Sequence, residues 1–218
     1  MSAYFVTSTG TDIGKTFVTA GLIRHLRGQG RRVATLKPIV SGFADAAASD
    51  IGILLEALGE AITPQAVARL SPWRFTAPLS PDMAAAREGR AVDFDALVVF
   101  CRQAIDADTL LIEGVGGVMV PLDGTHTVLD WAVALKLPLI VVTGSYLGTL
   151  SHTLTALAVI ARAKLEIAAL VVNESAGATV PLDDTVATLG RFAPGIPIVP
   201  LPRGAQDGDF AGLAGMLK

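Results

Sequence analysis

The chain has 218 residues, of which 51% are hydrophobic and 17% charged, with a formal net charge of −3. That balance leaves no basic footprint for nucleic acid. A single cysteine, Cys101, excludes an internal disulfide framework, and no uninterrupted apolar run reaches the ~18–20 residues a membrane span needs.

Length suits one domain, 1–218, with a substantial core. The first residues show no charged stretch followed by an apolar one, so the expectation is a cytoplasmic protein without a membrane partner.

The chain opens on a β-rich run, Tyr4 to Val6, then small and turn-forming residues, Thr7 to Asp12, then Ile13-Gly14-Lys15-Thr16 and an apolar helical pattern through Phe17, Val18, Leu22, Ile23 and Leu26. Strand, loop, helix is the setting of a phosphate-binding loop. Its backbone N–H groups form a nest for phosphate oxygens, and the helix N-terminus adds a positive dipole end. In such a loop Lys15 reaches the β/γ-phosphates and the Thr16 hydroxyl ligates Mg²⁺. The pattern G-x-x-x-x-G-K-[ST] wants glycine at position 9, where Thr9 stands.

Arg32 to Lys37 reads as the second strand, closed by Pro38, which pushes Lys37 toward an extended backbone. A lysine closing an apolar strand either faces a pocket with a negative partner or carries its stem out to solvent. Ser41-Gly42 opens a loop, where Ser41 is a turn residue or a substrate contact. Ser49-Asp50 starts a helix, Ile51 to Leu58, and spacing alone makes Asp50 part of the helix N-terminal region. Pro72, Pro78 and Pro81 punctuate Pro64 to Arg90, which reads as an ordered surface loop closing in a helix, Asp82 to Glu88.

Phe94 to Ile105 reads as a helix that buries Cys101, Thr109 to Ile112 as a strand, and Glu113-Gly114-Val115-Gly116-Gly117 as a turn. An acidic residue after a buried strand is what a phosphate-loop enzyme uses to hold Mg²⁺ or orient water. Further elements follow: helix Val128 to Leu135, strand Leu137 to Val142, helix Thr149 to Ala163, strand Ile167 to Val172 ending at Asn173, helix Pro181 to Arg191, strand Ile196 to Val199, and a terminal helix, Asp209 to Leu217. His126 and His152 have no metal-like companions and read as structural. The alternation predicts an α/β, P-loop NTPase-like three-layer fold: a mostly parallel sheet with helices on both faces, and ligands beyond the strands' carboxyl ends.

Several stretches together resemble the dethiobiotin synthetase family, over roughly Tyr4 to Pro202. They are Tyr4 to Thr16, Lys37-Pro38 with Ser41-Gly42, Ser49-Asp50, Pro72 to Arg90, Ile112 to Gly117, and Val172-Asn173-Glu174. The resemblance implies that ATP, CO₂ and 7,8-diaminopelargonate yield dethiobiotin, ADP and phosphate. Carried over position by position, it implies that Thr16, Asp50 and Glu113 hold Mg²⁺, that Lys15 and Lys37 are the active-site lysines, and that Ser41 contacts the diamine or its carbamate. Asp12, Ile13, Gly14, Lys15, Thr16 and Phe17 would wrap the phosphates, with Glu113 to Gly116 beside them. Asn173, Glu174 and Pro200-Leu201-Pro202 would lie on the adenine side. It also implies a homodimer, in which Gly148, Thr149, Leu150 and Ser151 form a helix start that binds the carboxylate of substrate held by the other subunit.

Two departures from the family pattern stand in the loop. Ser8 replaces its first glycine and Gly10 its aspartate, so Gly10 is expected to restore the lost backbone freedom. Two other readings compete. A ParA/MinD-like ATPase switch usually carries an extra lysine early in the loop, and Ser8 to Thr11 has none. An amidoligase related to cobyric acid synthases generally carries a glutamine-hydrolysing domain, for which 218 residues leave no room.

Overall fold

The computed structural model describes residues 2–103 and 105–217. In chain order the strands are β1 (Ser2–Ser8), β2 (Val33–Leu36), β3 (Ile39–Ser41), β4 (Trp73–Phe75), β5 (Thr109–Glu113), β6 (Leu139–Gly144), β7 (Ile167–Asn173) and β8 (Ile198–Leu201). The helices are α1 (Lys15–Gly28), α2 (Asp50–Leu58), α3 (Pro64–Leu70), α4 (Pro81–Arg87), α5 (Phe94–Cys101), α6 (Val128–Leu135), α7 (Thr149–Arg162), α8 (Leu182–Phe192) and α9 (Ala211–Met216), with a 3₁₀ turn at Asp207–Phe210.

Six strands form one sheet in the order β2-β5-β1-β6-β7-β8, and every pairing is parallel. Such a sheet must be covered on both faces, and period-two alternation sorts its side chains. Tyr4 and Val6 of β1, Leu111, Ile140, Val142 and Val171 pack with α1, α2, α3 and the C-terminal segment. Phe5, Leu110, Ile112, Val141, Leu170 and Val172 pack with α4 to α8. The order reverses at β1, with β5 on one side and β6 on the other, which opens a ligand crevice beyond the carboxyl ends.

The 64–90 region is more regular than expected. Thr63 caps α3 by accepting from the Ala66 N–H, Pro64 opens that helix, and β4 pairs in parallel with β3 as a separate two-stranded sheet. Thr at the N-cap and Pro at the first position are a helix-start signal that the three later prolines obscured. Pro38 ends the second strand at Leu36 and lets the chain re-enter a short strand at Ile39. The last strand runs to Leu201, so Pro200 and Leu201 lie inside it. Helix α5 ends at Cys101, and the expected extension to 105 crosses residue 104, outside the described residues. Cys101 is buried, and that burial pushes its thiol up to about 12. No helix among the described residues is long and apolar enough to cross a membrane.

Candidate active site

The loop between β1 and α1 is built by two left-handed residues, Asp12 (φ 56°) and Gly14 (φ 92°). Gly10 does not adopt that conformation, so the backbone freedom expected there falls to Asp12, a residue type that tolerates it. Gly14 is required twice over. It stands at the N-cap of α1 with positive φ, and a Cβ there would lie 2.3 Å from Asn173 Nδ2. That amide donates to the Ile13 carbonyl at 2.9 Å and pins the loop to the end of β7. Across the loop, a Cβ on Gly117 would lie within 3.1–3.2 Å of Gly10 backbone atoms, so the 113–117 turn packs main chain against main chain. No side chain caps α1 and no acidic residue sits in its first turn. Its positive end is thereby available to an anion.

Register decides which side chains meet. Strands β2 and β5 pair Leu36 with Ile112. The next residues, Lys37 and Glu113, keep that offset and turn toward α1, because Leu36 and Ile112 face the opposite side. Lys37 Nζ donates to Glu113 Oε1 at 2.6 Å and to the Gly114 carbonyl at 3.1 Å, and it pairs with Asp50 Oδ2 at 3.1 Å. The Thr16 hydroxyl, from the first turn of α1, donates to the same Glu113 oxygen at 2.6 Å. Lys15 Nζ donates to Ser8 Oγ at 3.2 Å, and Ser8 has the Gly10 and Gly116 carbonyls within 2.6 and 3.0 Å as acceptors. Ser8, the departure from the family pattern, therefore anchors Lys15 and crosses to the 113–117 turn.

Lys15, Lys37, Thr16 and Glu113 are all buried. Burial, reinforced by the nearby Lys37 charge, lowers the Lys15 ammonium to about 8. Burial would depress Lys37 too, but the Glu113 and Asp50 carboxylates outweigh it and hold its pKa above the usual lysine value. Burial works to raise the Asp50 carboxyl, and the Lys37 charge with hydrogen bonds from Lys37 and Thr16 brings it below its ordinary value. Two cations and two carboxylates thus share one floor, buried at Lys15, Lys37 and Glu113 and open at Asp50, whose side chain is 41% exposed.

Above that floor lies a cavity of about 550 Å³ lined by Lys15, Thr16, Lys37, Ser41, Asp50 and Gly116, and also by Thr11, Asp12 and the Pro78–Pro81 segment. Ser41 Oγ is buried without a hydrogen-bond partner. Glu113 Oε2 is in the same condition. An orphaned, buried carboxylate oxygen beside a hydroxyl and a second carboxylate fits a hard divalent cation such as Mg²⁺, which takes one or two carboxylates and completes its shell with phosphate oxygens and water. Among the described residues no group of three or more His, Cys, Asp or Glu forms an all-protein metal cage.

A second cavity, of about 620 Å³, is lined by Thr9 to Ile13, Tyr146, His152, Asn173 to Ala176 and Arg203. Thr11 and Asp12 line both cavities, so the loop runs between them. Glu174 ties this region together: its N–H donates to the Leu201 carbonyl at 2.9 Å, and its Oε2 accepts from the Arg203 N–H at 2.8 Å. Pro200 and Leu201 at the end of β8, with Pro202 after it, lead up to this region, and Arg203 rather than the proline pair lines the cavity. Gly148 to Ser151 do not line the cavity over the lysine cluster, and Gly148 (φ 100°) caps α7 without a side-chain hydrogen bond. His152 pairs with the Tyr146 hydroxyl at 2.8 Å on the rim. His126 binds Asp123 at 2.8 Å and stacks on Phe94, a structural arrangement as expected. Sequence reading missed Ser8 as a lysine anchor and Thr11 as a lining residue; their place in a loop of small polar residues was the available signal.

A phosphate cradle at the switch point of a parallel sheet, with two lysines, a hydroxyl and paired carboxylates at its floor, defines a nucleotide-dependent P-loop protein. A family model described as an AAA domain matches residues 2–199. The ATP-dependent dethiobiotin synthetase BioD of Acidiphilium cryptum is 50% identical over 196 residues, covering 88% of each chain. The enzyme of the same name from Methylobacterium nodulans is 46% identical over 213 residues, covering 94% of each. The chain belongs to the ATP-dependent dethiobiotin synthetase family. Among solved structures, MinD of Pyrococcus horikoshii complexed with Mg-ADP aligns at TM-score 0.54 and 17% identity, over 99% of this chain and 86% of that one. The MinC:MinD complex of Aquifex aeolicus aligns at 0.58 and 13% identity, over 98% and 86%. These two likenesses carry the fold alone.

Proposed function

We propose that the chain closes the cyclic urea of dethiobiotin from 7,8-diaminopelargonate, CO₂ and ATP. One amine of the substrate captures CO₂ as a carbamate and releases a proton. A carbamate oxygen attacks the γ-phosphorus, the bond to the β-phosphate oxygen breaks, and ADP leaves. The second amine attacks the carbonyl carbon of the resulting carbamic–phosphoric anhydride, closing the ring and expelling phosphate.

The observation that carries this reading is the Lys37 ammonium, held at 2.6 Å by Glu113 and 3.1 Å by Asp50 on the floor of a cavity that the phosphate loop also lines. The carbamate and the triphosphate repel each other, and fixed cations in a water-poor site offset that repulsion without reorganising. Lys15 faces the transferring phosphoryl group from the loop side, and Lys37 from the sheet side. Thr16, Asp50 and Glu113 would hold Mg²⁺, which supplies further neutralisation of the phosphoryl oxygens when bound. Ser41, with its unpartnered hydroxyl over the same cavity, orients the carbamate or its parent amine. Asp12 to Phe17 bind the phosphates, with Gly114 to Gly116 packed beside them. Asn173, Glu174 and the 200–202 segment bound the base.

The working unit in this proposal is a homodimer. No side chain caps helix α7, and although the Thr149 N–H is taken by the Tyr146 carbonyl at 3.0 Å, the positive end of the helix at Gly148 to Ser151 suits the carboxylate of a diamine whose reacting end lies in the other subunit. Leu147, beside them, is 84% exposed.

The deciding experiment mixes protein, MgATP, bicarbonate and 7,8-diaminopelargonate and follows the product by mass. A cyclic urea with stoichiometric ADP is expected. ATP hydrolysis without it overturns the reading.

A further inference from the structure

Alternation along the strands separates two polar systems. Ser8 and Glu113 turn toward α1 and build the lysine cluster, whereas Thr9 and Thr143 turn to the opposite face, toward α7. There the Thr143 hydroxyl meets three others: Thr153 at 2.7 Å, Thr149 at 3.0 Å and Thr9 at 3.2 Å. Thr143, Thr149 and Thr153 are fully buried or nearly so, at 0%, 1% and 0% exposure.

Each hydroxyl has one hydrogen and two lone pairs, which fixes the direction of every bond. Thr149 donates to the Gly144 carbonyl at 2.7 Å. Its contact with Thr143 is therefore an accepted one, and the Thr143 hydrogen is spent on it. Thr9 and Thr153 must both donate to Thr143, which fills its two lone pairs. The hub is saturated, and each arm has one orientation. One arm reaches the first residue of the phosphate loop. Another reaches the first residue of α7, at the helix start that the proposed function assigns to the substrate carboxylate.

We infer that Thr143 is a positioning residue that couples the phosphate loop of one site to the start of α7, which in the proposed dimer serves the partner's site, and so holds each subunit's two anion-binding ends in fixed relation. This rests on the functional reading for its consequence in catalysis, but the coupling itself is a property of the nucleotide-binding loop. Removing the hub hydroxyl leaves the Thr9 hydroxyl without its acceptor and Thr149 without its donor. Each end then relaxes independently. Both ligands still bind, but their reacting atoms are held less well, and displacement by about 1 Å costs on the order of 10²-fold in rate.

Two readouts test this. The first is amide hydrogen exchange with MgADP as the probe. In the wild-type chain, MgADP slows exchange in the loop (12–17) and also at the start of α7 (148–151). In Thr143→Val, protection in the loop remains and protection at 148–151 is lost. Equal protection at 148–151 in both overturns the inference. This arm needs no turnover, so it decides the matter even if no cyclic urea forms and the functional reading fails. The second is kcat per folded site at saturating MgATP and diamine. Thr143→Val is expected to lose about ten- to hundredfold in kcat with KM values within about threefold. Thr143→Ser, which keeps the hydroxyl, stays within about threefold of wild type. A Ser variant as impaired as the Val variant shows a packing role only. Thr9→Val cuts the loop arm alone at a half-buried position, so it carries both readouts should Thr143→Val not fold. It is expected to lose the transmitted protection, and Thr9→Ser to keep it.

Discussion

Lys37 donates to Glu113 Oε1 at 2.6 Å although 76 positions separate them, because β2 and β5 run parallel with that constant offset. The pair sits at the carboxyl ends of its strands, buried, with Glu113 at 0% exposure. A buried ion pair is weak support for stability, but breaking one side of it strands a charge at a cost of about 3–5 kcal/mol. Its placement over the phosphate loop is the reason to look for its value in the chemistry.

Lys37→Gln keeps a hydrogen-bond donor and removes the charge. We expect kcat to fall by about 10²–10³-fold at saturating MgATP, the range found for removal of one transition-state donor. Nucleotide affinity, measured by calorimetry, should stay within about threefold. A preserved rate would discard the role assigned to Lys37.

Lys15→Ala should reduce turnover by on the order of 10³-fold or more, since in the proposed mechanism it removes the loop cation that faces the transferring phosphoryl group. Phosphate release over a range of ATP concentrations checks this. An unchanged rate contradicts the loop assignment.

The apo protein should show a Lys15-dependent rise in stability with pH. The ammonium titrates at about 8 in the folded chain against 10.5 for an ordinary lysine. Below about pH 8 both states are protonated, and the folded state bears the full cost of the buried charge. Between about pH 8 and 10.5 the unfolded chain holds more protons, so folding becomes more favourable as pH rises. Lys15→Met removes this dependence. Urea denaturation of both proteins from pH 8 to pH 10 should show the wild type gaining ~2 kcal/mol relative to the variant. Parallel curves would contradict the buried, charged Lys15.

Gly52 lies in the first turn of α2, next to Asp50, and a Cβ there would come within 2.5 Å of the Ala46 carbonyl oxygen and 2.7 Å of the Ala47 one. Gly52→Ala should therefore destabilise by about 1–2 kcal/mol. Overpacking costs ~1–3 kcal/mol and exceeds the ~0.5–1 kcal/mol that alanine returns in helix propensity. The urea midpoint reads the balance, and a stabilised variant would show that the 46–47 segment yields freely.

Sedimentation should give a species of twice the 22.5 kDa chain mass. Leu147→Asp, at the exposed residue before the α7 start, should shift that species to monomer and lower turnover by about tenfold or more. A wild-type monomer that remains active would remove the shared site from the proposal.

The loop, the strand–helix alternation and the lysine, acid and asparagine at strand ends were all readable along the chain, because each depends on local order: an apolar run, a turn, then a polar residue. The α3 helix was missed although Thr63 and Pro64 signal its start, because the three later prolines outweighed them. Strand β3 could not be read locally, since three residues after a proline acquire a partner only when β4 arrives from more than thirty positions away.

What the sequence by itself determined is the inventory: a phosphate loop with Lys15 and Thr16, a second lysine, two carboxylates, and a parallel sheet to carry them. What only the tertiary structure decided is which of these touch. Parallel register set Lys37 against Glu113, alternation sent Ser8 to one face and Thr9 to the other, and burial lowered Lys15 while two carboxylates held Lys37 charged. Pairing between distant strands and the loss of water around a charge are properties of the assembled core, and no local stretch of chain contains them.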